Sequence, residues 1–228
     1  MSVALLEYNP RHYDTLPPVI QAGQNAEPSG AINALESVIG NVFVKHGVQN
    51  ELGIILLHNH FDLSPTEILV QFGNSAVPWE TSKNPNLFNV VPGAWRFVNE
   101  GLAPYEFVYL GPTKQSTVPL LADAKYGPFL AELLNVLQKH DLVDILGLVA
   151  LEDKDVNSPP LVELEFGRST IALEVDINPE PEDAWIHVVW QFGTKLGPSG
   201  EPIVFKKHKI AHKLQGDNHI NRHLGTSK

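Results

Sequence analysis

Two histidines at the end of an apolar segment are the residues of this chain best suited to chemistry. They are His58 and His60 in GIILLHNHFDLSPTEILVQFG, residues 53–73, and Asp62 follows two places later. If the segment is a strand, alternate side chains share a face, so the three side chains point the same way. Neighbours on one strand face are about 6.5–7 Å apart, which lets two imidazoles converge on one ion. The segment therefore predicts a divalent metal site.

A metal ion bound by this pair needs at least one further ligand. The candidates are Asp62, Glu67, His187 and a histidine from the C-terminal segment. Zinc, iron and manganese are the ions we expect, with Asp62 or Glu67 completing the site or acting as the catalytic base. Two alternatives stay open: the histidines are structural and hydrogen-bonded, or they act without a metal as acid–base or ligand-binding groups.

The same segment resembles the first motif of the cupin family, in which a glycine precedes His-X-His, a glutamate and a second glycine. The corresponding residues here are Gly53, His58, His60, Glu67 and Gly73. The interval from His60 to Glu67 is longer than in that motif and contains a proline, and no second cupin motif follows. The resemblance covers about 21 residues and implies that a strand-borne histidine pair with a nearby carboxylate binds iron, manganese or zinc.

Composition limits the compartment and the partners. The 228 residues include no cysteine, which excludes thiol chemistry and disulfides, and the net charge of −10 argues against binding nucleic acid. No apolar segment is long enough to span a bilayer, and the N-terminus lacks a signal-peptide pattern. We expect a soluble cytoplasmic protein with a small-molecule ligand and no membrane partner.

The C-terminal segment differs in charge from the rest of the chain. From Pro202 onward it has six lysines and arginines, four histidines and one acidic residue. Its histidines are spaced four apart, His208 with His212 and His219 with His223, as a metal pair on a helix would be. We expect instead that this extension lies on the acidic body or on a second copy, which would make a homo-oligomer.

An internal repeat indicates how the site is positioned. Shifting the chain by 94 residues aligns residues 41–80 with residues 135–174, with 13 of 40 positions identical and no gap. At the positions of His58 and His60 the second copy has Glu152 and Lys154, so the repeat does not itself require the histidines. This difference favours a function for the pair.

Each copy shows the pattern of one helix followed by strands. Helical spacing predicts helices over residues 32–46 and 128–140, and strands follow at Gly53–His60 with Glu67–Phe72 and at Ile145–Leu151 with Leu161–Phe166. Residues 16–31 and 74–93 are predicted to be loops. The sequence thus predicts an α+β fold of two related helix-plus-antiparallel-sheet modules, residues 1–112 and 113–205, with the extension 206–228.

These patterns support two functions. The first is a metal-binding protein, and if it is an enzyme, the ion acts on a small molecule in a cavity between the modules. The second is a non-catalytic binding or interaction protein that uses the duplicated fold and the basic extension. Glycine-rich phosphate-binding loops, a GxSxG nucleophile turn and the HExxH motif are absent from the sequence.

Overall fold

The computed structural model describes residues 3–83, 89–99, 101–111, 121–151, 156–174, 185–199 and 202–213. The helices are few, and most are short: α1 Arg11–Asp14, α2 Val19–Ala26, α3 Ala31–Ala34, α4 Gly40–His46 and α5 Gly127–Lys139. A π-helical turn, Leu35–Ile39, joins α3 to α4, and short 3-10 turns lie at Thr81–Lys83 and Ala124–Tyr126. Within the described residues, no helix is both long and apolar enough to cross a membrane.

Eleven strands within the described residues carry most of the fold. They are β1 Ala4–Leu5, β2 Leu52–Leu56, β3 Glu67–Phe72, β4 Ser75–Glu80, β5 Val90–Val98, β6 Gly101–Tyr109, β7 Leu146–Ala150, β8 Leu161–Glu165, β9 Thr170–Glu174, β10 Trp185–Leu196 and β11 Pro202–Lys213. Ten of them pair in a closed ring in the order β6, β3, β4, β9, β8, β11, β10, β2, β7, β5 and back to β6. β1 adds in parallel to the start of β6. The ring is a ten-stranded barrel.

The predicted α+β class, with two helix-plus-sheet modules, is therefore wrong. Strands β2–β6, here called the first half, and β7–β11, the second half, form one continuous sheet instead of one sheet each. β2 lies between β7 and β10, and β7 lies between β2 and β5, so each half inserts a strand into the other. The module boundaries at residues 112 and 205 stay predictions, and the second boundary falls inside β11.

The strand pairings of the two halves correspond to each other. Replacing β2–β6 by β7–β11, and the reverse, reproduces the order of the ring. The pairs Ile54–Leu148 and Ala76–Thr170 join residues 94 positions apart, so a pseudo-twofold axis passes through both contacts. The axis crosses the barrel interior between these two points.

Two pairs of identical glycines in the repeat have clear structural reasons. A Cβ on Gly53 would lie 2.6 Å from the carbonyl oxygen of Trp190, and one on Gly147 would lie 2.5 Å from that of Trp95. Only glycine allows this close approach of neighbouring strands. Gly73 and Gly167 have φ values of 58° and 62° in the equivalent turns β3–β4 and β8–β9.

Helices α4 and α5 cover part of the outer surface of the barrel. The ring of Phe43 lies 4.9 Å from those of Phe129 in α5 and Phe192 in β10, and all three side chains are fully buried. Burying a large aromatic side chain contributes about 1.5–3 kcal/mol. The helices and the strands beneath them therefore share one buried apolar core.

Candidate metal centre

The histidine pair lies just beyond the end of β2, which stops at Leu56 instead of continuing to His60. Its backbone is held by the segment around α1. The Asn59 side chain donates a hydrogen bond to the carbonyl oxygen of Leu16 at 3.0 Å, and the His60 N–H donates to the Tyr13 hydroxyl at 3.0 Å. Asn59 is thus directed away from the pair, while both imidazoles turn towards the barrel interior.

Four side chains converge at this point: His58, His60, Glu163 from β8 and His212 from β11. One ligand atom from each lies within 4.8 Å of all the others. The three imidazole rings form a triangle with centroid separations of 4.8, 5.3 and 5.4 Å. A tetrahedral metal ion with bonds of about 2.0–2.2 Å holds its ligand atoms roughly 3.3–3.6 Å apart, so the group would have to contract by about 1 Å around an ion.

The carboxylate of Glu163 lies between two of the histidines. Its oxygens are 3.2 Å from Nε2 of His212 and 3.8 Å from Nε2 of His60. Glu163 and His212 are direct neighbours in the parallel pairing of β8 with β11. The sheet itself therefore brings this acid–histidine pair together.

The tautomer of His58 is fixed by a backbone contact. Its Nδ1 lies 2.7 Å from the carbonyl oxygen of Leu56, and because a carbonyl can only accept, Nδ1 carries the proton. Nε2 is then an unprotonated lone-pair donor, and it is buried with no hydrogen-bond partner among the described residues. A backbone carbonyl that orients the far nitrogen is the usual outer contact of a metal-bound histidine.

The electrostatics of the group favour a cation. Burial, together with the nearby charges of His60 and His212, holds the pKa of His58 well below its usual value. Burial also opposes a charge on His60, but Glu163, Glu165 and Glu106 outweigh it and raise its pKa to about 9. The charges of His60 and His212 lower the pKa of Glu163 despite its burial. Carboxylates thus make this buried region favourable for positive charge.

A small cavity adjoins the group inside the barrel. Its volume is about 60 Å³, and His58, His60 and Glu163 form part of its wall. Much of the rest is apolar, with Ile55 and Val149 from equivalent positions of the two halves. Three of the four candidate ligands therefore line this small cavity.

Glu106 lines the same cavity from the first half. Its Oε1 atom is buried and has no hydrogen-bond partner within the described chain. Burial raises the pKa of this carboxyl to about 7, with His60 acting in the opposite direction and Glu163 adding to the rise. A buried carboxyl without a partner is costly, so Glu106 requires a functional explanation.

The other predicted site residues lie outside the group of four. Glu67 accepts hydrogen bonds from the Ser64 N–H at 2.8 Å and from Arg168 at 3.2 Å. The hydrogen bond from Arg168, followed by that from Ser64, lowers the pKa of Glu67 to about 2. Asp62 is exposed, and its backbone oxygen accepts a hydrogen bond from Arg168 at 3.0 Å. The catalytic roles of Asp62 and Glu67 stay predictions.

Of the other candidate histidines, His187 and His208 line a separate groove on the outer surface. His219 and His223 lie outside the described residues. The groove has a volume of about 1000 Å³ between α2 and strands β10 and β11, and the two imidazole rings are 3.6 Å apart. Burial lowers the pKa of His208 to about 4. The register of β10 against β11 shifts at this point: Val189 pairs with Ile210, but the next residue, Trp190, pairs with His208. Because of this bulge, His208 points to the outer groove, whereas Ile210 lines the interior cavity.

Comparison with known proteins adds no functional label. No family model matches the chain, and the searches of curated proteins and of solved structures give no significant match. Function is therefore inferred from the geometry of the four converging side chains and the interior cavity.

Proposed function

We propose that the protein binds one divalent metal ion through His58, His60, Glu163 and His212 and uses it as an enzyme on a small molecule. The observation that supports this most directly is the buried Nε2 of His58, unprotonated and aimed into a group of two further imidazoles and a carboxylate. A fold that needed only stability would fill this position with apolar side chains, because unpaired buried polar atoms are unfavourable.

Three nitrogen ligands and one oxygen ligand without sulfur suit zinc, iron(II) or manganese(II). Structural metal sites are usually closed by four protein ligands, whereas catalytic sites keep a position open. This group offers four ligands, so a catalytic ion here would need a fifth position, and the adjoining cavity has space for it; the ion would then supply Lewis-acid chemistry. The predicted cytoplasmic location is part of this proposal.

Metal analysis of the purified full-length protein tests the centre. The protein is incubated separately with zinc, with manganese(II) and, without oxygen, with iron(II), and bound metal is measured after removal of free ions. We expect one ion per chain in the wild type and its loss in His58→Ala and His212→Ala. His140→Ala is the matched control, because His140 is exposed and lies outside the group. Absence of bound metal, or equal retention in both ligand variants, would reject the proposal.

The outer groove supports a second candidate, a binding function for an organic molecule. Its wall combines Trp185, Trp190 and the exposed side chain of Ile20 with the two stacked histidines. Binding of the fluorescent probe anilinonaphthalene sulfonate should weaken in Ile20→Lys and stay unchanged in Leu196→Lys, since Leu196 is a more exposed apolar residue that does not line the groove. Equal binding by both variants would count against this candidate.

Recruitment of an acidic partner, or of a second copy, by the basic extension stays a prediction. Residues 202–213 form β11 and include the candidate ligand His212, so a deletion that starts at residue 206 would also remove part of the centre. A deletion of residues 214–228 separates the two functions. Loss of assembly with full metal content would support the interaction function, and unchanged assembly would oppose it.

A further inference from the structure

The interior cavity limits what the proposed metal ion can act on. A volume of about 60 Å³ corresponds to roughly two water molecules, or to a molecule of about three or four non-hydrogen atoms. Leu69, Val188 and Ile210 supply apolar wall, and the candidate ligands supply one polar side. His58, His60, Glu163 and Glu106 line this one cavity, so a molecule that fills it would contact both the candidate ligands and Glu106.

Glu106 is the carboxyl group among the residues that line the cavity outside the candidate ligand set. In the parallel pairing of β3 with β6 it stands beside Leu69, as His212 stands beside Glu163 in the pairing of β8 with β11. The pseudo-twofold axis thus relates Glu106 to a candidate metal ligand. The first half has Leu69 where the second half has Glu163. The Leu69–Glu106 pair therefore has no counterpart of the Glu163 carboxylate.

The Glu106 carboxyl has an unused hydrogen-bonding atom. Oε1 is buried and without a partner within the described chain, although a carboxyl oxygen forms strong hydrogen bonds. A leucine would occupy a similar volume without this cost, as Leu69 does on the neighbouring strand. A molecule held in the cavity would satisfy the unused oxygen.

We propose that Glu106 is the second contact point for a small molecule with a polar atom at each end, one bound to the metal ion and the other hydrogen-bonded to the Glu106 carboxyl. This inference rests on the proposed metal centre and names the size and polarity class of its ligand. Glu106 then selects molecules of about three or four non-hydrogen atoms and fixes their orientation.

Azide binding to the cobalt(II)-loaded full-length protein at about pH 6 tests this role, because azide has three atoms, changes the visible spectrum of cobalt(II) and can accept a hydrogen bond at its free end from the protonated Glu106 carboxyl. We expect the dissociation constant for azide to rise about tenfold in Glu106→Leu and to change less than about threefold in Glu106→Gln, which keeps a hydrogen-bonding group. Glu174→Gln is the control, since Glu174 is exposed at the end of β9. Glu106→Ala replaces the leucine variant if that variant does not fold.

The possible results separate this inference from the metal centre. If the wild type retains no cobalt, the metal centre and this inference both fail. If cobalt is retained but azide does not bind, or binds equally tightly to the wild type and to Glu106→Leu, only the role of Glu106 fails. Loss of cobalt in a folded Glu106→Leu variant would show that Glu106 is itself a metal ligand, which also overturns the second-contact role.

Discussion

The first and second halves of the barrel share one set of strand pairings but differ in the side chains that they direct inward. Leu69 and Glu106 in the first half occupy the positions of Glu163 and His212 in the second. The histidine pair comes from the first half, and its counterparts, Glu152 and Lys154, lie outside the described residues. The candidate centre therefore combines ligands from both halves, and the duplicated frame positions side chains without determining their chemistry.

The largest effect should come from replacing the second-half ligands by their first-half counterparts. Glu163→Leu removes one of the four converging ligands, whereas His212→Glu exchanges an imidazole for a carboxylate that can itself bind metal and should weaken binding less. Loss of an outer contact typically costs 10–100-fold in metal affinity, so loss of a direct ligand should exceed about 100-fold. Isothermal titration with zinc measures this, with Glu174→Leu as the control, and unchanged affinity in Glu163→Leu would contradict the assignment.

The next effect concerns the glycines at the crossing of the two halves. Gly53→Ala and Gly147→Ala should each destabilise the fold by about 1–3 kcal/mol, because the new Cβ meets a neighbouring carbonyl oxygen. Urea unfolding measures both changes, and their similarity tests the equivalence of the halves. Gly127→Ala should have little effect, because a Cβ there meets no atom within 4 Å. A large difference between Gly53→Ala and Gly147→Ala would break the comparison.

A smaller effect is expected from Tyr13, which lies in α1, before the start of the repeat. Tyr13→Phe removes the hydroxyl that accepts a hydrogen bond from the His60 N–H. Loss of one such bond costs about 0.5–1.5 kcal/mol, and it should also loosen the histidine pair. Urea unfolding should show a lower free energy of unfolding, and zinc titration should show a weaker affinity. Weaker stability with unchanged zinc affinity would show that Tyr13 supports the fold alone.

The smallest effect is expected at the Glu67–Arg168 pair. Arg168→Asn introduces the residue that the first half has at this position, Asn74. The depressed pKa of Glu67 adds stability above the unfolded value of 4.5, and this contribution disappears as the pH falls to about 2. The variant should thus be slightly less stable than the wild type at pH 7, and the difference should shrink between pH 4.5 and 2. Thermal unfolding of both proteins across this pH range is the test. A difference in unfolding temperature that stayed constant would contradict the role of the Glu67–Arg168 pair.

Helix and turn positions could be predicted from the sequence because local rules determine them. The predicted helices over residues 32–46 and 128–140 are observed with nearly the same bounds, although the first contains a π-helical turn. Helix α2 lies within the segment predicted to be a loop, because Pro18 and Pro28 flank it and its two buried residues, Ala22 and Ala26, are small. Residues 74–93 were also predicted to be a loop, but β4 and the start of β5 lie there.

The fold class could not be predicted because a repeat does not reveal whether its strands pair within a copy or between copies. The role of Glu163 as a candidate ligand could not be predicted from the sequence either. In LVELE, residues 161–165, alternation indicates that Val162 faces a core and Glu163 faces solvent. The structure buries Val162 but also directs Glu163 into the interior cavity. The sequence predicts a further ligand among several histidines that include His212, and only the pairing of β8 with β11 distinguishes it.

The position of β2 has a consequence for synthesis of the chain. Both strands that pair with β2 come from residues 146 onward, so the histidine segment emerges from the ribosome long before its neighbours exist. Contacts so distant in sequence form late and slowly. Binding of the proposed ion should therefore follow synthesis of β10 and β11, and a nascent chain stalled before residue 185 should fail to retain it.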